Sequence, residues 1–351
     1  MISGISKRNE NQYRELSLDS SSSLKDFATN RKKYYKKYYL NEEVEEEDSK
    51  ASVTGRVVET LLLDPWEFDN RFYMSACASA PTGLMLSFVE ALYKYTKDAT
   101  NEEGVVMRDF ADISQDAYTE SGFKIKYEAV IGKFVGSDAE IYFNEILKVR
   151  TNNLTVVTTQ DVTNAEKIVE ELKTNFVTKN IVNLVNSERW EIINQLQVEN
   201  YTIDNHPMKS MMDKFVADHE TKQLFVYDLK TTWSVEKFLS DYFLYRLAYI
   251  QMYVYYKATQ SLTTNPDSKY YGYKVNIPRF IVCDSTNYYS PLIYIPSEKD
   301  IEDAYNGFMY ENRHYIGVKD IIEDLKFAQT QNIWNISRKN YELKGRVPLR
   351  K

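Results

Sequence analysis

The stretch Met208-Lys-Ser-Met-Met-Asp213, followed by Phe225-Val-Tyr-Asp228-Leu-Lys230-Thr-Thr232, decides the reading of this chain. Leu224 to Asp228 is a short apolar and aromatic run bounded upstream by the turn-like Asp218 to Lys222, and it reads as a buried strand. Successive strand side chains point to opposite faces, so Asp228 and Lys230 share a face while Leu229 points into the core. Lys209 to Ala217 reads as the preceding strand, with Asp213 on the same side of the hairpin. Two aspartates converging on one point suggest a Mg²⁺ site, because hard divalent ions take oxygen ligands and keep several waters. Lys230 beside that ion would orient or deprotonate an attacking water, since an amine near a cation has a depressed pKa. An isolated Asp-x-Lys is more often an exposed ion pair of little energetic weight, so the assignment depends on its neighbours.

Those neighbours lie downstream. Phe238 to Lys257 carries Phe238, Tyr242, Tyr245, Tyr249, Met252 and Tyr256 at helical spacing without Gly or Pro. Gln251 and Tyr255 are four apart, hence on one stripe of that helix. Packed behind the hairpin, the helix would aim this stripe at the metal and the scissile phosphate. The alternative is that Tyr255 is core and Gln251 a satisfied polar neighbour.

Taken together, Asp213, Asp228-x-Lys230-Thr-Thr and Gln251-x-x-x-Tyr255 resemble the RecB-type branch of the PD-(D/E)xK nucleases, most of all the exodeoxyribonuclease VIII (RecE-type) phage recombination exonucleases. Gly55-Arg-Val-Val-Glu59-Thr-Leu-Leu-Leu-Asp64-Pro65 resembles that family's Gly-x-x-x-His-x-x-Leu-x-x-Pro helix, and Ser22-Ser-Leu-Lys25, Lys237-Phe238 and Tyr245-Arg246 echo it further. The likeness spans roughly residues 20–70 and 190–340. It departs at two points: Glu59 stands where the family has a histidine, and the family's upstream glutamate falls near Gln195. Glu59 can still be an oxygen ligand, and Glu199, on the same strand face as Gln195, is a candidate additional carboxylate.

The resemblance implies metal-assisted phosphodiester hydrolysis with Asp213, Asp228, Lys230 and Gln251 as catalytic residues. It implies Asp213, Asp228, the Leu229 carbonyl and Glu59 as ligands to Mg²⁺ or Mn²⁺, and Thr231, Arg246 and Tyr255 as DNA contacts. The activity implied is a 5′-to-3′ exonuclease on double-stranded DNA ends, working in recombination as a ring-forming homo-oligomer with a single-strand annealing protein as a candidate partner. Two alternatives stay open: a catalytically weakened DNA-binding or replication-accessory protein, motivated by Glu59 and Gln195, and a structure-specific endonuclease.

Composition bounds this reading. A chain of 351 residues with 43% hydrophobic content can bury a substantial core. Its net charge of −7 disfavours indiscriminate DNA binding, so DNA would be confined to a local basic groove. One such surface is Asn30-Arg-Lys-Lys-Tyr-Tyr-Lys-Lys-Tyr-Tyr39, whose Lys32, Lys33 and Lys36 would meet phosphates while its tyrosines stack on bases or sugars. It equally reads as an amphipathic helix with solvated lysines, entered through a capping box at Ser23-x-x-Asp26. The acidic run Glu42 to Asp48 follows as a loop.

Cys77 and Cys283 are far apart in sequence, which argues for a reducing compartment and against an iron–sulfur cluster. With His206, His219 and His314 as the only histidines a structural zinc is not expected, and His206 before Pro207 reads as a turn residue. No apolar run approaches a membrane span, so a cytoplasmic location is expected, the host cytoplasm for a phage-encoded chain.

The expected fold is α/β, a mixed central β-sheet flanked by helices (a restriction-endonuclease-like core) with N-terminal helical additions. The expected division is an arm and acidic loop over 1–50, a nuclease domain over 51–340 with a poorly matched insertion at about 75–185, and a basic tail over 341–351. Residues 80–100 and 162–186 read as helices, Asp138 to Arg150 is ambiguous, Arg279 to Cys283 and Pro291 to Ile295 read as strands, and Ile301 to Tyr310 and Val318 to Asn332 as closing helices.

Overall fold

Asp213 and Asp228 lie on adjacent strands of one sheet, and Leu224 and Val226, which share the face of Asp228, belong to the core, whereas Leu229, expected in the core, is half-buried outside that cluster. The computed structural model describes residues 4–6, 8–42, 44, 49–77, 79–286 and 290–347. Its strands are β1 (Gly4–Ser6), β2 (Phe72–Met74), β3 (Thr155–Val157), β4 (Trp190–Ile203), β5 (His206–Asp218), β6 (Gln223–Thr232), β7 (Lys274–Val275), β8 (Arg279–Asp284), β9 (Leu292–Tyr294), β10 (Phe308–Tyr310) and β11 (Arg313–Tyr315). The chain divides into two units, one of Met1–Asp64 with Ala165–Lys351 and one of Pro65–Asn164.

The first unit holds the principal sheet, ordered β1-β4-β5-β6-β8-β9, with β7 also pairing with β6. β6 runs parallel to β7 and β8, and the other pairs are antiparallel, which makes the sheet mixed, as expected from the sequence. β4 and β5 are joined by Asp204-Asn205, both at positive φ (50° and 60°), the geometry whose twist suits a two-residue hairpin. Asp and Asn tolerate that left-handed backbone because their short side chains bond locally.

A parallel step needs a crossover, and between β6 and β8 the Ala248–Thr264 helix supplies it. Tyr249, Ile250, Met252, Val254, Tyr255 and Ala258 are all buried, so the helix is apolar around most of its circumference. Such a helix must be covered on both sides. One side meets β4 and β5, and the other meets the Ser21–Thr29 and Glu298–Asn306 helices. Leu24 and Phe27 of the first of these are fully or nearly fully buried, each worth about 1.5–3 kcal/mol of apolar burial.

Several expectations are corrected here. The helix expected over Phe238 to Lys257 is interrupted: a π-helical turn covers Leu239–Leu244, Leu247 adopts a left-handed backbone at φ 55°, and the regular helix starts at Ala248. His206 is not a turn residue but the first residue of β5, buried and 2.8 Å from Asp19 Oδ2. The capping box lies three residues earlier than expected, with Ser20 as cap and Ser23 as its reciprocal partner. Ile301 to Tyr310 ends as a helix at Asn306, after which Phe308–Tyr310 pairs with Arg313–Tyr315 as a hairpin. The acidic run Glu42–Asp48 falls mostly outside the described residues, as does the end of the basic tail.

The second unit has its own core of Phe88, Val89, Leu92, Ile113, Ala117, Val130, Phe134 and Phe143. Helices Gly83–Asp98, Phe110–Ser121, Tyr127–Phe134 and Asp138–Thr151 supply it, so the ambiguous Asp138 to Arg150 segment is helical. β2 and β3 pair in parallel beside them. Among the described residues no helix is long and apolar enough to cross a membrane.

Candidate active site

The β5/β6 ladder ends at the pair Lys214–Tyr227, and Asp213 and Asp228 are the next residues of the two strands beyond it. Asp213 Oδ2 accepts a hydrogen bond from the Leu229 amide at 2.8 Å. Asp228, 1% exposed, accepts from Gln251 Nε2 on Oδ1 at 2.8 Å, and its Oδ2 lies 2.5 Å from Lys230 Nζ. That ion pair is close but poorly aligned: Asp228 Oδ2 is buried and accepts no hydrogen bond of good geometry. Its charge is met by Lys230, and the remaining acceptor capacity of the two carboxylates is where an added cation would be stabilised.

The electrostatics agree. Burial, then the charges of Asp228 and Glu59, push the Asp213 carboxyl well above the ordinary aspartate range. Burial pulls the Lys230 ammonium down, but Asp228, Asp213 and Glu59 outweigh it and hold the group above the ordinary lysine value. In this state Lys230 is a charged donor.

Glu59 comes from the Lys50–Leu63 helix, which is capped by the Ser49 hydroxyl and lies close against β6. Gly55, one turn before Glu59, permits that approach: a β-carbon there would sit 2.6 Å from Thr231 Oγ1. Glu59 Oε1 accepts from Gln195 Nε2 at 2.5 Å. Gln195 faces Asp213 across the β4/β5 ladder, between the pairs Asn194–Lys214 and Leu196–Met212, and has φ of 52°. A left-handed residue inside a strand costs about 1–3 kcal/mol and recurs where function holds a side chain in place. Among the described residues no three Asp, Glu, His or Cys side chains are gathered in ligating geometry.

Gln251 and Tyr255 both face this pair from the Ala248–Thr264 helix. Gln251 Nε2 donates also to the Tyr255 hydroxyl at 2.9 Å, and that hydroxyl donates to the Met211 carbonyl at 2.7 Å. Tyr255 is therefore a brace between helix and β5, 5% exposed and poorly placed to meet DNA. The Thr231 hydroxyl faces Gly55. Arg246 is exposed, its guanidinium 4.6 Å from the centre of the Tyr242 ring, and Tyr242 donates to the Thr231 carbonyl at 2.8 Å.

Glu199 is not brought to the cluster. Arg8 Nε holds its carboxylate at 2.9 Å, alongside the β1 strand that pairs with this part of β4. In the Asn30 to Tyr39 stretch, Lys33 lies 2.9 Å from Asp26 and Lys36 3.9 Å from Glu42, while Lys32 is exposed. Its tyrosines serve packing more than stacking on nucleic acid: Tyr34 is buried with its hydroxyl on Asp19, and Tyr35 and Tyr39 pack on Trp334.

One residue at the site was not assigned from sequence. Lys25 of the Ser21–Thr29 helix donates from Nζ to Gln251 Oε1 at 3.1 Å. Its only signal was the Ser22-Ser-Leu-Lys25 segment, which carries no mark of a partner 226 positions away.

No protein-family model and no curated protein matches the chain. Among solved structures it is similar to one described as "Putative exonuclease" from Eubacterium rectale, at 15% identity and a TM-score of 0.45, over 86% of this chain and 82% of that one.

Proposed function

We propose that the chain is a metal-dependent deoxyribonuclease acting as an exonuclease on double-stranded DNA, degrading 5′ to 3′ and leaving 3′ single strands for recombination. The observation that carries the reading is the neighbouring pair Asp213 and Asp228, buried and mutually repelling, with the Lys230 ammonium 2.5 Å from Asp228 Oδ2. The pair fits a hard divalent ion: both groups offer oxygen, and a cation between them would relieve the repulsion. Asp213 and Asp228 would hold Mg²⁺ or Mn²⁺, with the Leu229 carbonyl and Glu59 as further oxygen donors. Bound there, the ion would supply charge stabilisation at phosphorus and a more acidic water.

The chain's own groups do the rest. Hydrolysis forms one phosphorus–oxygen bond to water, breaks one to the departing sugar oxygen, and moves one net proton from the water to that sugar oxygen. Lys230, charged and beside Asp228, orients the water or a phosphate oxygen by donating hydrogen bonds. Gln251 fixes the Asp228 carboxylate through Oδ1, and Tyr255 fixes Gln251. Arg246 on its Tyr242 platform is an exposed cation for a DNA phosphate. A homo-oligomeric ring and a single-strand annealing partner belong to the same reading. They rest on family resemblance in the sequence.

One observation favours a second reading. The Gln195 amide already occupies Glu59 Oε1, which weakens the claim of Glu59 as a ligand and leaves room for a DNA-binding protein of little turnover. The experiment that separates them is Mg²⁺-dependent digestion of end-labelled linear duplex and covalently closed circular duplex. Loss of linear DNA alone, from the 5′ end, is expected. Cutting of the circle would mean an endonuclease, and metal-independent binding without cleavage would support the second reading.

A further inference from the structure

The Gln251 amide is the hinge of the site, because its two ends are not interchangeable. Its nitrogen donates to Asp228 Oδ1 and to the Tyr255 hydroxyl. Rotated by half a turn, the amide would set its oxygen against the Asp228 carboxylate, replacing attraction with repulsion. The group facing the other end, the ammonium of Lys25 at 3.1 Å from Oε1, reinforces the same orientation. A lysine ammonium can only donate, so it accepts no arrangement but the one with oxygen toward it.

Lys25 is half-buried on a helix that is itself firmly anchored. The helix that carries it starts at Ser20, and the preceding Asp19 is the centre of a buried polar cluster. Asp19 Oδ1 accepts from Ser23 Oγ at 2.7 Å and from the Tyr34 hydroxyl at 2.9 Å, and Asp19 Oδ2 lies 2.8 Å from His206 Nε2. Leu24 and Phe27 anchor the same helix in the core. Burial, then the nearby Lys230 ammonium, lowers the Lys25 pKa to about 8, which places Lys25 within electrostatic reach of the candidate centre.

We propose that Lys25 is a positioning residue of this centre: it orients the Gln251 amide, which in turn presents the Asp228 carboxylate, so that the N-terminal segment is a working part of the site. The inference rests on the metal-site reading above. Groups that orient a metal ligand from behind contribute about 10–100-fold in metal affinity or activity.

The test uses the full chain with Mn²⁺ alone as probe, read by titration calorimetry, across wild type, Lys25→Met, Gln251→Met and the double variant. Lys25→Met is expected to weaken Mn²⁺ binding by about 10-fold or more, and to add little in the Gln251→Met background, because the lysine acts through the glutamine. Lys25→Arg keeps a cationic donor and is expected to fall less than Lys25→Met. Wild-type affinity in Lys25→Met, or the same fold loss with and without Gln251, overturns the proposal. Circular dichroism checks folding, and if Lys25→Met does not fold the cycle is read with Lys25→Gln. Should wild type itself bind no Mn²⁺, the metal-site reading fails. Binding by wild type with additive variants sinks the positioning role alone.

Discussion

Replacing Gly55 by alanine tests whether the Lys50–Leu63 helix belongs to the site. The new methyl carbon would stand 2.6 Å from Thr231 Oγ1, where ordinary contact begins near 3.4 Å. The Thr231 hydroxyl must swing aside or helix and strand must part by about 0.8 Å, and overpacking of this kind costs about 1–3 kcal/mol. Against it, alanine gains about 1 kcal/mol in helix propensity over glycine. The net loss of stability is thus about 0–2 kcal/mol, modest enough for the protein to remain folded. The effect on activity is expected to be larger. Glu59 lies one turn beyond Gly55 and Lys230 one residue before Thr231, so the displacement falls on both sides of the site. Misplacement by about 1 Å can cost about 100-fold in rate. Urea unfolding and single-turnover cleavage, each run on Gly55→Ala, Thr231→Ala and the double variant, measure the two quantities. Thr231→Ala removes the obstructing oxygen, so the double variant is expected to recover most of the lost rate. Wild-type rate in Gly55→Ala, or strictly additive effects, would show that this contact does not position the site.

Other expectations follow from the same geometry. Asp213→Asn should make the metal-free chain about 1–2 kcal/mol more stable at pH 7, because a buried carboxylate facing two others is lost; unfolding in EDTA measures this, and Mn²⁺ should raise the melting temperature of wild type alone. Tyr255→Phe removes the donor to the Met211 carbonyl and an acceptor for Gln251; a stability loss of about 1–3 kcal/mol is expected, with a fall in kcat larger than the change in KM. The Arg189 guanidinium holds Asp218 down to about 2. A depressed carboxyl contributes stability that is complete above its unfolded pKa, about 3.9, and is lost as pH falls through about 2. Asp218→Asn should therefore flatten acid unfolding in that window, and an unchanged profile would remove this pair as a source of acid sensitivity.

What could be read from sequence was local in physical origin. Strand alternation alone put Asp228 and Lys230 on one face, and the four-residue helical repeat put Gln251 beside Tyr255. The mixed sheet with flanking helices was legible for the same reason. Contacts made across the chain were not. Lys25 meets Gln251 only because Leu24 and Phe27 dock their helix on the crossover helix, a fact of tertiary packing with no period or spacing to announce it. Glu199 looked available because the parity of a regular strand places it with Gln195. Its carboxylate is taken by Arg8, a residue near the start of the chain. His206 before a proline resembled a turn, yet the two preceding residues make the turn and Asp19 draws the imidazole inside. The break at Leu247 was hidden by aromatic spacing that continues smoothly through it.

The most direct test of the metal-dependent nuclease reading compares Mg²⁺-dependent release of nucleotides from a linear duplex by wild type, Lys230→Ala and Asp228→Asn, with folding checked by circular dichroism. Cleavage by wild type that stops on chelation, with losses of about 100-fold or more in both folded variants, is the expected result. Undiminished cleavage by folded Lys230→Ala, or none by wild type with Mg²⁺ or Mn²⁺ present, would contradict it.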